Sequence, residues 1–303
     1  MKFALKIDVD TYRGTREGVP NLLRLLDKLK VRATFLFSLG PDHTGRALKR
    51  VFRPGFLSKV SRTSVVSHYG IKTLMYGVLL PGPDIGKRGA DVLKSVQRAG
   101  HEVGIHTWDH IKWQDGVEHA SDAWTDREMT LAARRFADVF QQPPRTHGAA
   151  GWQMNDHAFL LTSRLGFDYS SDTRGHSPFL PYVNDKVIHC PQLPSTLPTL
   201  DELLGVDDLD ESNVAEHVLK LTQEPMQHAP VYTLHAELEG MKLLPVFEQL
   251  LRGWQAQGYQ LTTSRDVFKD LDVRQLPVHR VERGSVAGRS GTLMLQGAQV
   301  EQY

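Results

Sequence analysis

The stretch Gly104-Ile105-His106-Thr107-Trp108-Asp109-His110 decides how the chain is read. Two histidines four apart fall on one face of a helical turn, so their rings can converge on one point. Neutral imidazole is the commonest protein donor to divalent transition metals, and this is ligand spacing. Just before the pair, residues 101–105 are strand-like and follow the helix stop Ala99-Gly100. The pair therefore sits where a strand ends, the edge at which α/β folds build their sites. With 14 histidines in the chain, the spacing alone arises easily by chance. The reading therefore needs other strand ends with matching chemistry.

Two stretches supply it. Residues 2–7 alternate like a strand and deliver Asp8-Val9-Asp10, and the β-rich run at 231–234 delivers His235. One carboxylate and two imidazoles make a ligand set that leaves open positions on a metal. Asp10, His106 and His110 are the expected ligands, and such a set accepts Zn, Mn, Co or Ni. Asp8 shares strand parity with Asp10, so both side chains face the same way. Asp8 is the candidate general base, and His235 the candidate acid that protonates a departing amine. The expected chemistry is hydrolysis of an amide carbonyl. The plainer alternatives are an Asp8 that only pairs with an arginine and a His235 satisfied by backbone in the core.

Outward from these ends, strands and helices alternate. Pro20 fits the first turn of a helix whose leucines at 22, 23, 25, 26 and 29 form one face, and residues 31–39 read as a second buried strand. Helices are expected at 90–98, 125–140, 155–165, 213–227 and 241–257, with Thr125 and Glu128 as a capping box. Residues 178–198 read as irregular and Pro-rich. Strands tipped by polar residues and separated by helices argue for a parallel, barrel-like α/β domain over 1–275, followed by a loose tail at 276–303. Residues 41–86 break the rhythm. Seven Lys and Arg and no acid lie between Asp42 and Asp84, interleaved with large apolar residues. That composition suits an anionic membrane surface or a lipid phosphate, with Arg50, Arg53, Lys59 and Arg62 as contacts. It falls short of the roughly 20 apolar residues of a spanning helix. A formal charge of +1 gives no indication of nucleic acid, and the single Cys190 excludes an intrachain disulfide. No export signal is expected, because Lys6, Asp8 and Asp10 interrupt the first apolar run.

Asp8-Val9-Asp10, His106-x3-His110 and Leu234-His235, in this order and spacing, resemble the first, second and fifth motifs of the NodB-type polysaccharide deacetylase family. The resemblance covers most of residues 1–270 outside 41–86. It implies a distorted (β/α) barrel of about seven strands, with 41–86 as an inserted basic, apolar subdomain. It implies the same roles: Asp8 as base, Asp10, His106 and His110 on the metal, His235 as acid. Two departures stand out. Val9 separates aspartates that are usually adjacent, and residues 147–152 lack the arginine usual in the third motif. Arg145 or Arg174 is expected to hold Asp8 instead, with Trp152 and Asp172 joining them around the substrate. Residues 6–15, 38–43, 104–110 and 149–152 are most similar to members that remove formyl from 4-formamido-arabinose carried on a polyprenyl phosphate. That step belongs to lipid A modification and polymyxin resistance. The resemblance then implies a cytoplasmic enzyme at the inner face of the bacterial inner membrane. Two other readings stay open: an N-deacetylase of peptidoglycan or chitin-type chains, and a non-catalytic metal or sugar-binding module.

Overall fold

The computed structural model describes residues 1–47, 70–224 and 226–301. Its first strand, β1 (Lys2–Val9), is buried on both faces. Phe3, Leu5, Ile7 and Val9 point outward into the main apolar core, and Ala4, Lys6 and Asp8 point to the other side. Two helices cover the outward face, Val19–Leu29 through Leu22 and Leu26, and Leu244–Ala256 through Phe247, Leu250 and Trp254. Phe3 packs on Trp254 with ring centroids 4.5 Å apart. Each fully buried side chain of this size contributes roughly 1.5–3 kcal/mol.

The strands that follow pair in parallel, as βαβ connections require. They are β2 (Thr34–Ser38), β3 (Glu102–Thr107), β4 (Thr146–His147) and β5 (Tyr169–Ser170). After them, β6 (Leu180–Val183) and β7 (Lys186–Val187) leave for a second sheet. The chain returns with β8 (Val231–His235) and β9 (Gln260–Thr262). Among the described residues the main sheet runs β5-β4-β3-β2-β1-β8, and β9 pairs with the start of β1. The sheet curls into a half-barrel and, among the described residues, does not close into the full barrel expected. The extended segment 191–196 hydrogen-bonds to both edges: Leu193 N–H donates to Ser170 O at 2.8 Å, and Thr196 N–H to Val231 O at 3.0 Å.

Three expectations need correction. The helix Asp122–Phe140 is capped by Ser121, whose side chain accepts from Trp124 N–H. Thr125 lies a turn further in, so the expected capping box does not form. The polar run from Ser121 offers several possible caps, and periodicity alone cannot choose among them. The expected loose tail is instead a hairpin of β10 (Val278–Gly284) and β11 (Leu293–Gln299). It joins β6 and β7 in a sheet of order β11-β10-β6-β7, with Leu293 and Met294 buried. A hairpin alone is marginal in water, and this one gains its stability from β6, in a stretch read as irregular. Thirdly, His106 and His110 do not share a helical turn. His106 belongs to β3, and His110 is the first residue of the helix His110–Gly116.

Arg50, Arg53, Lys59 and Arg62 lie outside the described residues. The described flanks of that stretch meet one another. Asp42 N–H donates to Pro83 O at 2.9 Å and Gly45 N–H to Tyr76 O at 3.0 Å, so residues 41–47 and 76–84 form a stem. No helix among the described residues is long and apolar enough to cross a membrane.

Candidate metal centre and active site

All parallel strands of the half-barrel point the same way, so their C-terminal ends gather on one rim. Register sets the neighbours. Asp8 on β1 lies directly beside His235 on β8. On the other side Leu36 of β2 sits beside both Asp8 and Gly104 of β3, two residues before His106. Residues far apart in the chain thus become adjacent because they end adjacent strands.

Asp10, His106 and His110 come together as one cluster whose donor atoms lie within 4.8 Å of one another. His106 Nε2 is 3.2 Å from Asp10 Oδ1, and His110 Nε2 is 3.4 Å from Asp10 Oδ2. The two rings stand 5.3 Å apart. His106 Nδ1–H donates to the Gly148 carbonyl at 2.6 Å, which leaves the Nε2 lone pair aimed at Asp10. A backbone anchor of this kind is how a histidine is held to ligate a metal. The buried oxygens Asp8 Oδ1 and Asp10 Oδ1 have no hydrogen-bond donor among the described residues. Leaving such an oxygen unsatisfied costs about 1–3 kcal/mol, so the pair suits a bound cation. The Asp10, His106 and His110 triad can therefore hold a metal ion.

The carboxylates and imidazoles of the cluster shift one another. Burial opposes charge on Asp10, but the imidazoles of His110 and His106 hold its carboxyl below the usual range. Burial also opposes protonation of His106, and Asp8 and Asp10 outweigh it, raising that imidazole above its ordinary value. His235 behaves likewise: burial pushes it down, while Asp201, Asp10, Glu239 and Asp8 together lift it to about 9.

Some expected residues stand elsewhere. Arg145 precedes β4, at the end of the sheet away from the site. Its exposed guanidinium is 3.8 Å from Asp168, so it does not hold Asp8. Arg174 is buried and spends its donors on Glu202, at 2.8 and 2.9 Å, and on Leu197 O at 2.9 Å. Asp172 is fully buried, accepting from His147 Nδ1–H at 2.7 Å, Ala149 N–H at 2.9 Å and Gln192 Nε2 at 3.1 Å. Trp152 is 1% exposed and donates to Ser195 Oγ at 3.1 Å, with Arg174 and Arg289 against its ring. Among the described residues these three buried side chains are held by internal partners beside the site. Their strand-end positions suggested substrate contact, but each found an internal partner.

Other residues at the rim carried little sequence signal. Lys6 is buried with its Nζ 3.5 Å from Asp8 Oδ2. Glu237 Oε1 accepts from Asp10 N–H at 3.1 Å, Thr11 N–H at 2.8 Å and Thr11 Oγ1 at 2.8 Å, tying the end of β1 to the loop after β8. Burial and the nearby Asp10 raise Glu237 to about 8. A Cβ on Gly14 would fall 1.9 Å from Glu237 Oε1, so only glycine allows this approach. Glu239 Oε2 accepts from His235 N–H at 2.9 Å. His235 Nδ1 is 3.9 Å from Asp201 Oδ1. The alternation Glu237-x-Glu239 two residues past His235 is the one sequence feature that could have singled out the glutamates.

Comparison with known proteins adds an independent finding. The family model for polysaccharide deacetylase matches residues 4–170. A relative from Shewanella sediminis (strain HAW-EB3) is 37% identical over 299 residues, 99% of this chain and 96% of the relative. One from Wigglesworthia glossinidia brevipalpis is 32% identical over 284 residues, 93% and 98%. Both bear the name probable 4-deoxy-4-formamido-L-arabinose-phosphoundecaprenol deformylase. Among solved structures, a candidate polysaccharide deacetylase from Mycobacterium smegmatis superposes with a TM-score of 0.62 at 16% identity, covering 94% of this chain and 96% of that one. At that identity the superposition speaks for the fold alone.

Proposed function

The chain belongs to the polysaccharide deacetylase family, and we propose that it is a metal-dependent amide hydrolase that removes formyl from 4-deoxy-4-formamido-L-arabinose on undecaprenyl phosphate. The near full-length identity to relatives named for that reaction carries the choice of substrate. The convergence of Asp8, Asp10, His106, His110 and His235 on one rim supports the chemistry.

A divalent ion held by Asp10, His106 and His110 would polarise the formyl carbonyl and lower the pKa of water at the site. Asp8 takes the proton from the water that attacks the carbonyl carbon. His235 gives a proton to the sugar nitrogen as the C–N bond breaks, so formate and a free amine leave. The negative charges of Asp201 and Glu239 favour the protonated form of His235, and Glu239 ties down its backbone N–H. Glu237 fixes the backbone of Asp10 and Thr11. Incubating purified protein and a defined metal with the formamido lipid should yield the aminoarabinose lipid and formate by mass spectrometry. Release of acetate from N-acetyl oligosaccharides with no change in the formamido lipid would refute the choice of substrate.

Contact with the inner face of the membrane belongs to the same reading, since the substrate hangs on a lipid. Val78 and Leu79 stand 56% and 74% exposed at the end of the stem. The stem reaches the site: Gly77 packs against His43, and His43 Nδ1 is 2.6 Å from Asp109, the residue before His110. Each basic residue near an anionic leaflet contributes about 1 kcal/mol, screened by salt, and inserted aliphatic side chains add a part that salt leaves intact. Vesicle binding should therefore weaken with salt without vanishing. Substituting Arg50, Arg53, Lys59 and Arg62 together by Ser should cut vesicle binding and turnover of the lipid substrate. A short, water-soluble formamido sugar should be turned over within about twofold of the parent rate, because the metal centre is untouched. Equal loss on both substrates would make the segment a folding element.

A further inference from the structure

We infer that Lys6 is a positioning residue for Asp8, its buried ammonium holding one carboxylate oxygen so that the other faces the reacting water. This rests on the amide-hydrolase reading above. The side chain is completely buried inside the half-barrel, on the same face of β1 as Asp8. Its Nζ lies 3.5 Å from Asp8 Oδ2, donates to Ser171 O at 3.0 Å and sits 5.2 Å from the centre of the Trp152 ring. An ammonium taken out of water costs several kcal/mol unless a carboxylate compensates it. The other charges around it are committed, Asp172 to His147 and Gln192, and Arg174 to Glu202. Asp8 is the carboxylate that pairs directly with Lys6 among the described residues, and Asp172 adds to the balance from further off.

The division of labour between the two oxygens follows. Oδ2 faces Lys6, and Oδ1 has no hydrogen-bond donor among the described residues and lies 3.9 Å from His106 Nδ1. The oxygen that does not face Lys6 is thus the one left open to a water. Space for the ammonium is made by Gly148. A Cβ there would come within 3.0 Å of Lys6 Cε, 3.3 Å of Nζ and 2.4 Å of Leu36 Cδ1. The same residue's carbonyl anchors His106, so one glycine sets both the ligand and the cation.

The test is a double-mutant cycle on metal-loaded full-length protein, with a water-soluble formamido sugar as the probe. Lys6→Met keeps the length of the side chain without its charge. Lys6→Gln is the second variant, retaining an N–H donor for Ser171 O should the methionine protein not fold. Each should lower kcat by about 10²-fold, the cost of a misplaced reacting group. KM should stay within about twofold, and metal content should stay at the parent level. On an Asp8→Asn background, either Lys6 change should add less than about threefold, because its partner in catalysis is already gone. Parent-level kcat in a folded Lys6 variant would overturn the assignment. So would a loss that persists in full on the Asp8→Asn background, or one that tracks lost metal. Full turnover by Asp8→Asn alone would instead bring down the base assignment beneath it.

Discussion

His106→Ala should strip the metal from the protein and take amide hydrolysis to background. The imidazole is buried at the centre of the cluster, held by Gly148 O on one nitrogen and facing Asp10 with the other. Without it, Asp10 and His110 are two donors of a three-residue set, too few for a catalytic site of this type. Lewis-acid help is worth several kcal/mol, so turnover should fall by about 10³-fold or more. Metal content by elemental analysis should fall with it, and added metal should not restore the rate. The parent protein, stripped by a chelator, should regain activity on adding Zn, Mn, Co or Ni. Acid should weaken metal binding. Asp8 and Asp10 raise the His106 pKa, and the ligand must be neutral, so protons compete increasingly as pH falls through that raised value. A His106→Ala protein that keeps both its ion and its turnover would remove this residue from the metal site.

Asp8→Asn should separate the two jobs. The substitution keeps the shape, and the metal donors lie on Asp10, His106 and His110, so metal content should stay at the parent level. Turnover should drop by about 10²–10⁴-fold, the usual worth of a general base. The variant should also melt earlier than the parent, because Lys6 would keep a buried charge without its carboxylate. Parallel measurement of metal content, melting temperature and kcat distinguishes the outcomes. Lost metal would place Asp8 among the ligands, and unchanged kcat would dismiss it as the base.

Family membership was legible early because it rests on three short stretches at strand ends. Their identities survive as local patterns: Asp8 and Asp10 by strand parity, the histidine pair by spacing, His235 by the apolar run before it. The two rings are nevertheless brought together by a strand-to-helix turn and not by one helical face. Arg145, Trp152, Asp172 and Arg174 all sit near strand ends in sequence, yet one points away and three are consumed internally.

By itself the sequence determined the alternation of strands and helices, the parallel pairing of β1 and β2, and which residues tip β1, β3 and β8. All of these follow from periods of 2 and 3.6 residues and from short-range spacing. Only the tertiary structure decided that Lys6 is the cation beside Asp8, that Glu237 ties Asp10 to the β8 loop, and that the C-terminal residues form a hairpin on β6. Those contacts join residues far apart in the chain, and their geometry depends on strand order and register. A buried lysine and a surface lysine look the same in a one-dimensional pattern. What distinguishes Lys6 is the closure of the half-barrel around it, which removes water and leaves a carboxylate to take its place.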